Sequence, residues 1–96
     1  MTIKIKRGFV VREVGGEHIV VPVGETSKTF HGMIKLNESG GFLWNFFRAA
    51  HTEEEAVAAL LGEYEVEEAV AAADVHRFVE ALKASNFADF TETPKS

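Results

Sequence analysis

The chain changes character once, at Leu36-Asn37, and that break limits the folds open to it. Before it, β-branched and aromatic residues recur at the short period of strands. After it, apolar residues recur three and four apart, the period of helices. Such an order does not build the alternating strand–helix units of a parallel sheet. It predicts an α+β domain whose strands and helices are segregated.

Within the strand half, Phe9–Val14 and Glu17–Val23 flank Gly15-Gly16, a two-residue loop suited to the positive φ of primed hairpin turns. That loop fixes the register: Val14 faces Glu17, Arg12 faces Ile19 and Val10 faces Val21. One face then carries Val10, Ile19, Val21 and Val23, and the other Phe9, Val11 and Val20 with Glu13 and His18. Pro22 has no N–H for a ladder, so it belongs near a strand end. A polar loop over 24–29 leads to a third strand over 30–36, with Phe30, Ile34 and Leu36 on one side and His31, Met33 and Lys35 on the other.

Three helices follow. Asn37 is a good N-cap for the first, and Glu38 suits its dipole. Phe42/Phe46 and Leu43/Phe47, with Trp44 between them, make this helix apolar over most of its girth. Thr52 and Glu55 form a capping box that opens the second helix, which Gly62 is expected to weaken or end. The third helix, from about 67 to 85, places Ala71, Val75, Phe78, Val79 and Leu82 on one stripe. Phe87–Phe90 reads as a short apolar tail, and 91–96 as a frayed end. Most aromatic residues belong to the core; Phe30 and Phe87, near element ends, are set apart from it. Residues 1–90 are expected to form a single domain. A hairpin with three small helices is also the part list of a winged helix-turn-helix-like domain.

Ten Lys and Arg against fifteen Asp and Glu give a formal charge of −5. A nucleic-acid-binding domain normally carries net positive charge, so nucleic acid is not the expected partner. Basic residues open the chain, whereas no Lys or Arg lies between Ala49 and His76. Cysteine is absent, which excludes disulfides, thiolate metal sites and thiol catalysis. The basic N-terminus lacks the apolar stretch of a signal peptide, and no run is long enough to span a membrane. The expected location is the cytoplasm.

Catalytic signals are missing. His18, His31, His51 and His76 show no metal-ligand spacing, and no serine sits in a nucleophile elbow. Ser39-Gly40-Gly41 lacks the Lys of a phosphate loop and the third glycine of a dinucleotide fingerprint. The small residues there serve close packing of a buried helix. No catalytic residue, metal or cofactor is expected.

The string Ile34-Lys35-Leu36-Asn37-Glu38-Ser39-Gly40, followed by Phe42 and Trp44, resembles the PqqD family, the coenzyme PQQ synthesis protein D group, also called RiPP recognition elements. The resemblance continues through Thr52–Glu55, Leu60, Tyr64, Val66, Asp74-Val75, Phe78 and Leu82, from roughly Phe9 to Phe87. Asn86-Phe87 stands where the family more usually has Gly-Leu. The resemblance implies a non-catalytic domain that binds the leader of a ribosomally made precursor peptide. It would present that leader to a modifying enzyme, often a radical S-adenosylmethionine enzyme, in PQQ synthesis or another peptide-modification pathway. The leader would add to the third strand and lie against the third helix. Carried onto this chain, that edge is His31, Met33, Ile34, Lys35 and Leu36, and the wall is Val75, His76, Val79 and Lys83. The residue pattern leaves open which parity of the strand turns its N–H outward, and whether a second copy pairs there to give a homodimer. Two other readings remain. A DNA-binding winged helix would meet repulsion from Glu53, Glu54, Glu55 and Glu63, and a structural subunit would dock on an enzyme through its half-apolar sheet.

Overall fold

The computed structural model describes residues 1–30 and 33–92. The expected architecture is present: a three-stranded antiparallel sheet followed by three helices. The sheet has the order β2-β3-β4, from β2 (Phe9–Val14), β3 (Glu17–Pro22) and β4 (Ile34–Leu36). The helices are α1 (Glu38–Phe46), α2 (Glu53–Glu63) and α3 (Glu68–Ser85).

The hairpin register is the one Gly15-Gly16 dictates, with Val14 opposite Glu17 and Val10 opposite Val21. Both glycines have positive φ, at 59° and 83°. Pro22 is the last residue of β3, where its missing N–H costs the ladder least. The strand face with Val20, Ile34 and Leu36 turns toward the helices, and Val20 is fully buried. Val10, Ile19 and Val21, on the opposite face, are half-buried.

Caps define the helices as the sequence requires. Asn37 Oδ1 accepts from the Gly40 N–H at 2.7 Å, and Thr52 with Glu55 forms the reciprocal capping box. Gly62 does not end α2, which continues to Glu63. Asn86 closes α3 in the left-handed conformation at φ 59°. This is the position at which glycine is commonest and asparagine the usual substitute, so Asn86 takes the conformation with little strain.

Two strands were not foreseen. β1 (Thr2–Ile5) pairs antiparallel with β5 (Ala88–Thr91), setting Ile3 opposite Phe90 and Ile5 opposite Ala88. The expected apolar tail is thus a strand, and Thr91, assigned to the frayed end, is its last residue; residues 93–96 of that end lie outside the described residues. Ile3 also bridges to His51, tying this ribbon to the turn before α2. The core joins both sheets: Ile3, Val20, Leu43, Phe47, Leu60, Val75, Val79, Leu82 and Phe87 are all at or below 2% exposure. Phe87, set apart by its sequence position, lies in that core at 1% exposure, its ring 4.2 Å from that of Phe9. Phe30 is half-buried and packs edge-on to Phe9 at 5.4 Å.

Candidate functional site: a cleft between an open strand edge and a helix

The edge of β4 lies across a cleft from α3. The cleft encloses about 470 Å³ and has an apolar floor of Ile34, Leu36, Leu43, Phe78 and Ala81. Asp74 and Arg77 stand on its helical rim, where Arg77 Nη1 lies 3.3 Å from Asp74 Oδ1. Gly16 and Glu17 close it on the hairpin side, and Lys35 Nζ meets Glu17 Oε1 at 2.9 Å. Arg77 is 75% exposed, its guanidinium donating to Asp74 at the surface.

The register decides which backbone groups are available. The Val23 N–H donates to the Gly8 carbonyl at 2.8 Å, continuing the pattern set by Val14 opposite Glu17. Odd-numbered residues of β3 therefore bond toward β2, and the even-numbered ones, His18 and Val20, bond toward β4. Their partners are Leu36 and Ile34. Lys35, between these, turns its N–H and C=O to the open side, as does Met33 if the alternation continues one residue back. An unpaired edge beside an apolar trough is the arrangement that strand addition uses: main-chain bonds supply affinity and the trough receives alternate side chains.

The structure brings only part of the expected set to this cleft. Ile34, Lys35 and Leu36 line it. Met33 adjoins them and is 68% exposed. His31 lies outside the described residues. The helical residues are displaced. Val75 and Val79 are fully buried, so they form core rather than an accessible wall. His76 faces α2, with ring nitrogens 3.9 Å from Glu53 Oε2 and 3.8 Å from Glu80 Oε1. Lys83 lies over the Phe90 ring of β5 at 5.4 Å. The helix presents Asp74, Arg77, Phe78 and Ala81 to the cleft instead. These lie on the opposite flank of the buried stripe from His76 and Lys83. The available signal was the Asp74/Arg77 pair at i,i+3, in line with Phe78 and Ala81 at helical spacing.

Among the described residues no group of three or more His, Asp or Glu is placed to hold a metal ion, and no helix is long and apolar enough to cross a membrane. Among the described residues, the carboxyl of Glu55 and the hydroxyl of Tyr64, neither lining the cleft, depart from their ordinary behaviour. The hydrogen bond from the Thr52 backbone N–H, aided by His51, holds the Glu55 carboxyl below its ordinary 4.5 against the opposing effect of desolvation. Desolvation, with Glu38 and Glu63 nearby, raises Tyr64.

The family model for coenzyme PQQ synthesis protein D (PqqD) matches residues 17–88. The chain belongs to the PqqD family. That match spans β3, β4 and all three helices, and hence every element of the cleft. No curated protein matches the sequence. Two solved structures share the fold. One, TbiB1 in complex with the TbiA(beta) leader peptide, is 20% identical, with a TM-score of 0.66 over 94% of this chain and 99% of that one. The other, lasso peptide synthetase B1 complexed with the leader peptide, is 18% identical, with a TM-score of 0.65 over 92% of this chain and 98% of that one.

Proposed function

We propose that this PqqD-family protein is a non-catalytic adaptor that binds the leader of a ribosomally made precursor peptide. The leader adds as a strand beside β4 and sends alternate side chains into the trough against α3. One observation carries the reading: a strand edge unpaired among the described residues, with Lys35 turned outward, borders an apolar cleft of about 470 Å³. The two structural neighbours, both bound to leader peptides, support the same reading. Residues 1–90 act as one binding domain, working in the cytoplasm beside the modifying enzyme, for which a radical S-adenosylmethionine enzyme is the family's usual partner. The product is PQQ or another modified peptide. A second copy of β4 could compete for the same edge, giving a homodimer that leader binding dissolves.

Titrating the leader into isotopically labelled protein tests the proposal. Amide shifts should centre on Met33–Leu36 and on Asp74, Arg77, Phe78 and Ala81. Shifts centred on the His76 and Lys83 flank would place the peptide elsewhere.

A further inference from the structure

The sheet has a second open edge. β2 is its other outermost strand among the described residues, and at six residues it is twice the length of β4. The same register argument gives its polarity. Val10, Arg12 and Val14 bond inward to β3, so Phe9, Val11 and Glu13 turn their N–H and C=O groups outward. Edges are ordinarily blunted by charged side chains, lysine above all, by proline or by a bulge. β2 contains neither lysine nor proline and pairs with β3 without a bulge; its two charges are Arg12, at an inward-bonded position, and Glu13, beside His18, and Val11 is 41% exposed.

This edge also borders a cleft. About 440 Å³ lies between β2 and α1, with Phe9, Val11, Phe42 and Trp44 as apolar lining and Arg48 among its polar residues. It occupies the flank of α1 opposite the leader cleft: Glu38, Gly41 and Asn45 face it, whereas Ser39, Gly40 and Leu43 face the other. The molecule thus carries two strand-edge-and-helix troughs, one at each side of the sheet.

Charge distinguishes the occupant. In a chain of net charge −5, three of the four arginines lie on or beside this edge: Arg7 just before β2, Arg12 on it and Arg48 in the cleft. Arg48 has no ion-pair partner among the described residues, whereas Glu13 is engaged by His18 at 3.8 Å.

We propose that the outward edge of β2 and the trough against α1 form a second strand-addition site, which takes an extended segment of a partner protein with apolar residues at every second position and an acidic residue ending that series. The apolar side chains enter between Val11 and Phe42, and the carboxylate, on the same face of the added strand, meets Arg48. Because the two troughs lie on opposite edges, the partner and a peptide on β4 bind together without competing. The site goes beyond the leader-binding reading and does not depend on it.

The test uses a synthetic six-residue peptide with valine, phenylalanine and aspartate at its first, third and fifth positions and threonine between them, blocked at both ends, titrated into the labelled full chain. The largest amide shifts are expected at Phe9, Val11, Glu13 and Arg48, with Lys35 unmoved. Val11→Pro removes one outward donor, and Arg48→Glu reverses the charge of an exposed side chain. Each should weaken binding by about tenfold or more, as expected for loss of a main-chain bond or of a complementary charge. Replacing the peptide's aspartate by lysine should weaken it similarly. Arg48→Glu keeps the question answerable should Val11→Pro fail to fold. Shifts confined to Met33–Leu36 and α3, no shifts at millimolar peptide, or unchanged affinity in both variants would overturn the proposal. So would a concentration-dependent dimer that Arg48→Glu or Val11→Pro dissolves, since the edge would then belong to a second copy of the chain.

Discussion

Ile34 is locked to Val20 across the ladder, whereas its neighbour Lys35 directs its backbone to the open side of the sheet. This alternation separates two proline substitutions that the sequence alone cannot tell apart. Ile34→Pro removes an inward donor and should cost at least about 1 kcal/mol for the lost bond, with further loss from strand distortion. Lys35→Pro removes an outward N–H and the exposed ion pair with Glu17, worth roughly 0–1 kcal/mol. Chemical denaturation should therefore show Ile34→Pro clearly destabilised and Lys35→Pro near the parent. Calorimetry should show that Lys35→Pro has lost leader binding. A Lys35→Pro protein that binds the leader at parent affinity would exclude pairing along β4.

Much of this arrangement was legible because its signals are local. Gly15-Gly16 dictates a turn, and the turn dictates the register of every β2–β3 pair; Asn37 and the Thr52/Glu55 box likewise mark helix starts within a few residues. β1 and β5 were missed because each is four residues long and its partner lies at the other end of the chain. The spacing of Ile3 and Ile5 was the available clue. On α3 the buried stripe was read correctly, but a stripe has two flanks, and periodicity does not say which one borders a cleft. That depends on where β4 and α2 settle. His76 and Lys83, the expected residues, lie on the flank away from the cleft, and Asp74 and Arg77 on the flank beside it.

Val75 supplies a direct check of that placement. Fully buried beside Leu82 and Val79, it should matter to folding and not to peptide contact. Val75→Ala removes two buried methyl groups and leaves a small cavity, a loss of roughly 2 kcal/mol. Its thermal midpoint should fall while leader affinity, measured well below that midpoint, stays at the parent value. A selective loss of affinity at full stability would return Val75 to the cleft.

Gly62 offers the opposite outcome. It lies inside α2 with exposed surroundings, and a Cβ built there meets nothing within 4 Å. Gly62→Ala should stabilise by about 0.5–1 kcal/mol through reduced entropy of the unfolded chain. For a domain of this size that raises the thermal midpoint by about 2–8 °C. A lowered midpoint would mean that the end of α2 is not helical in solution.

The capping box makes a pH-dependent contribution of known sign. The folded Glu55 carboxyl lies below its ordinary 4.5, chiefly because the Thr52 backbone N–H donates to it. A carboxyl depressed on folding contributes stability that is present above its unfolded pKa and lost as pH falls through the folded one. Glu55→Gln retains an acceptor for Thr52 without the charge. The difference in thermal midpoint between parent and Glu55→Gln should be largest above pH 4.5 and shrink at lower pH. A difference independent of pH would remove the ionised carboxylate from the cap.

The two flanks of α3 can be compared with one pair of charge reversals. Arg77 stands on the cleft rim, 75% exposed and only loosely held by Asp74 at 3.3 Å. Lys83 lies on the other flank, over Phe90 and 3.7 Å from Glu80. Neither carries much of the folding energy, since exposed ion pairs contribute roughly 0–1 kcal/mol. An acidic leader residue beside the trough would be drawn to Arg77, so Arg77→Glu should weaken binding several-fold and reduce its dependence on salt. Lys83→Glu should leave both unchanged. Calorimetry at low and physiological ionic strength distinguishes the cases, because screening weakens an exposed charge contact and spares apolar burial. Loss of affinity in Lys83→Glu with none in Arg77→Glu would move the peptide to the α2-facing side of the helix, where the trough beside β4 could not hold it.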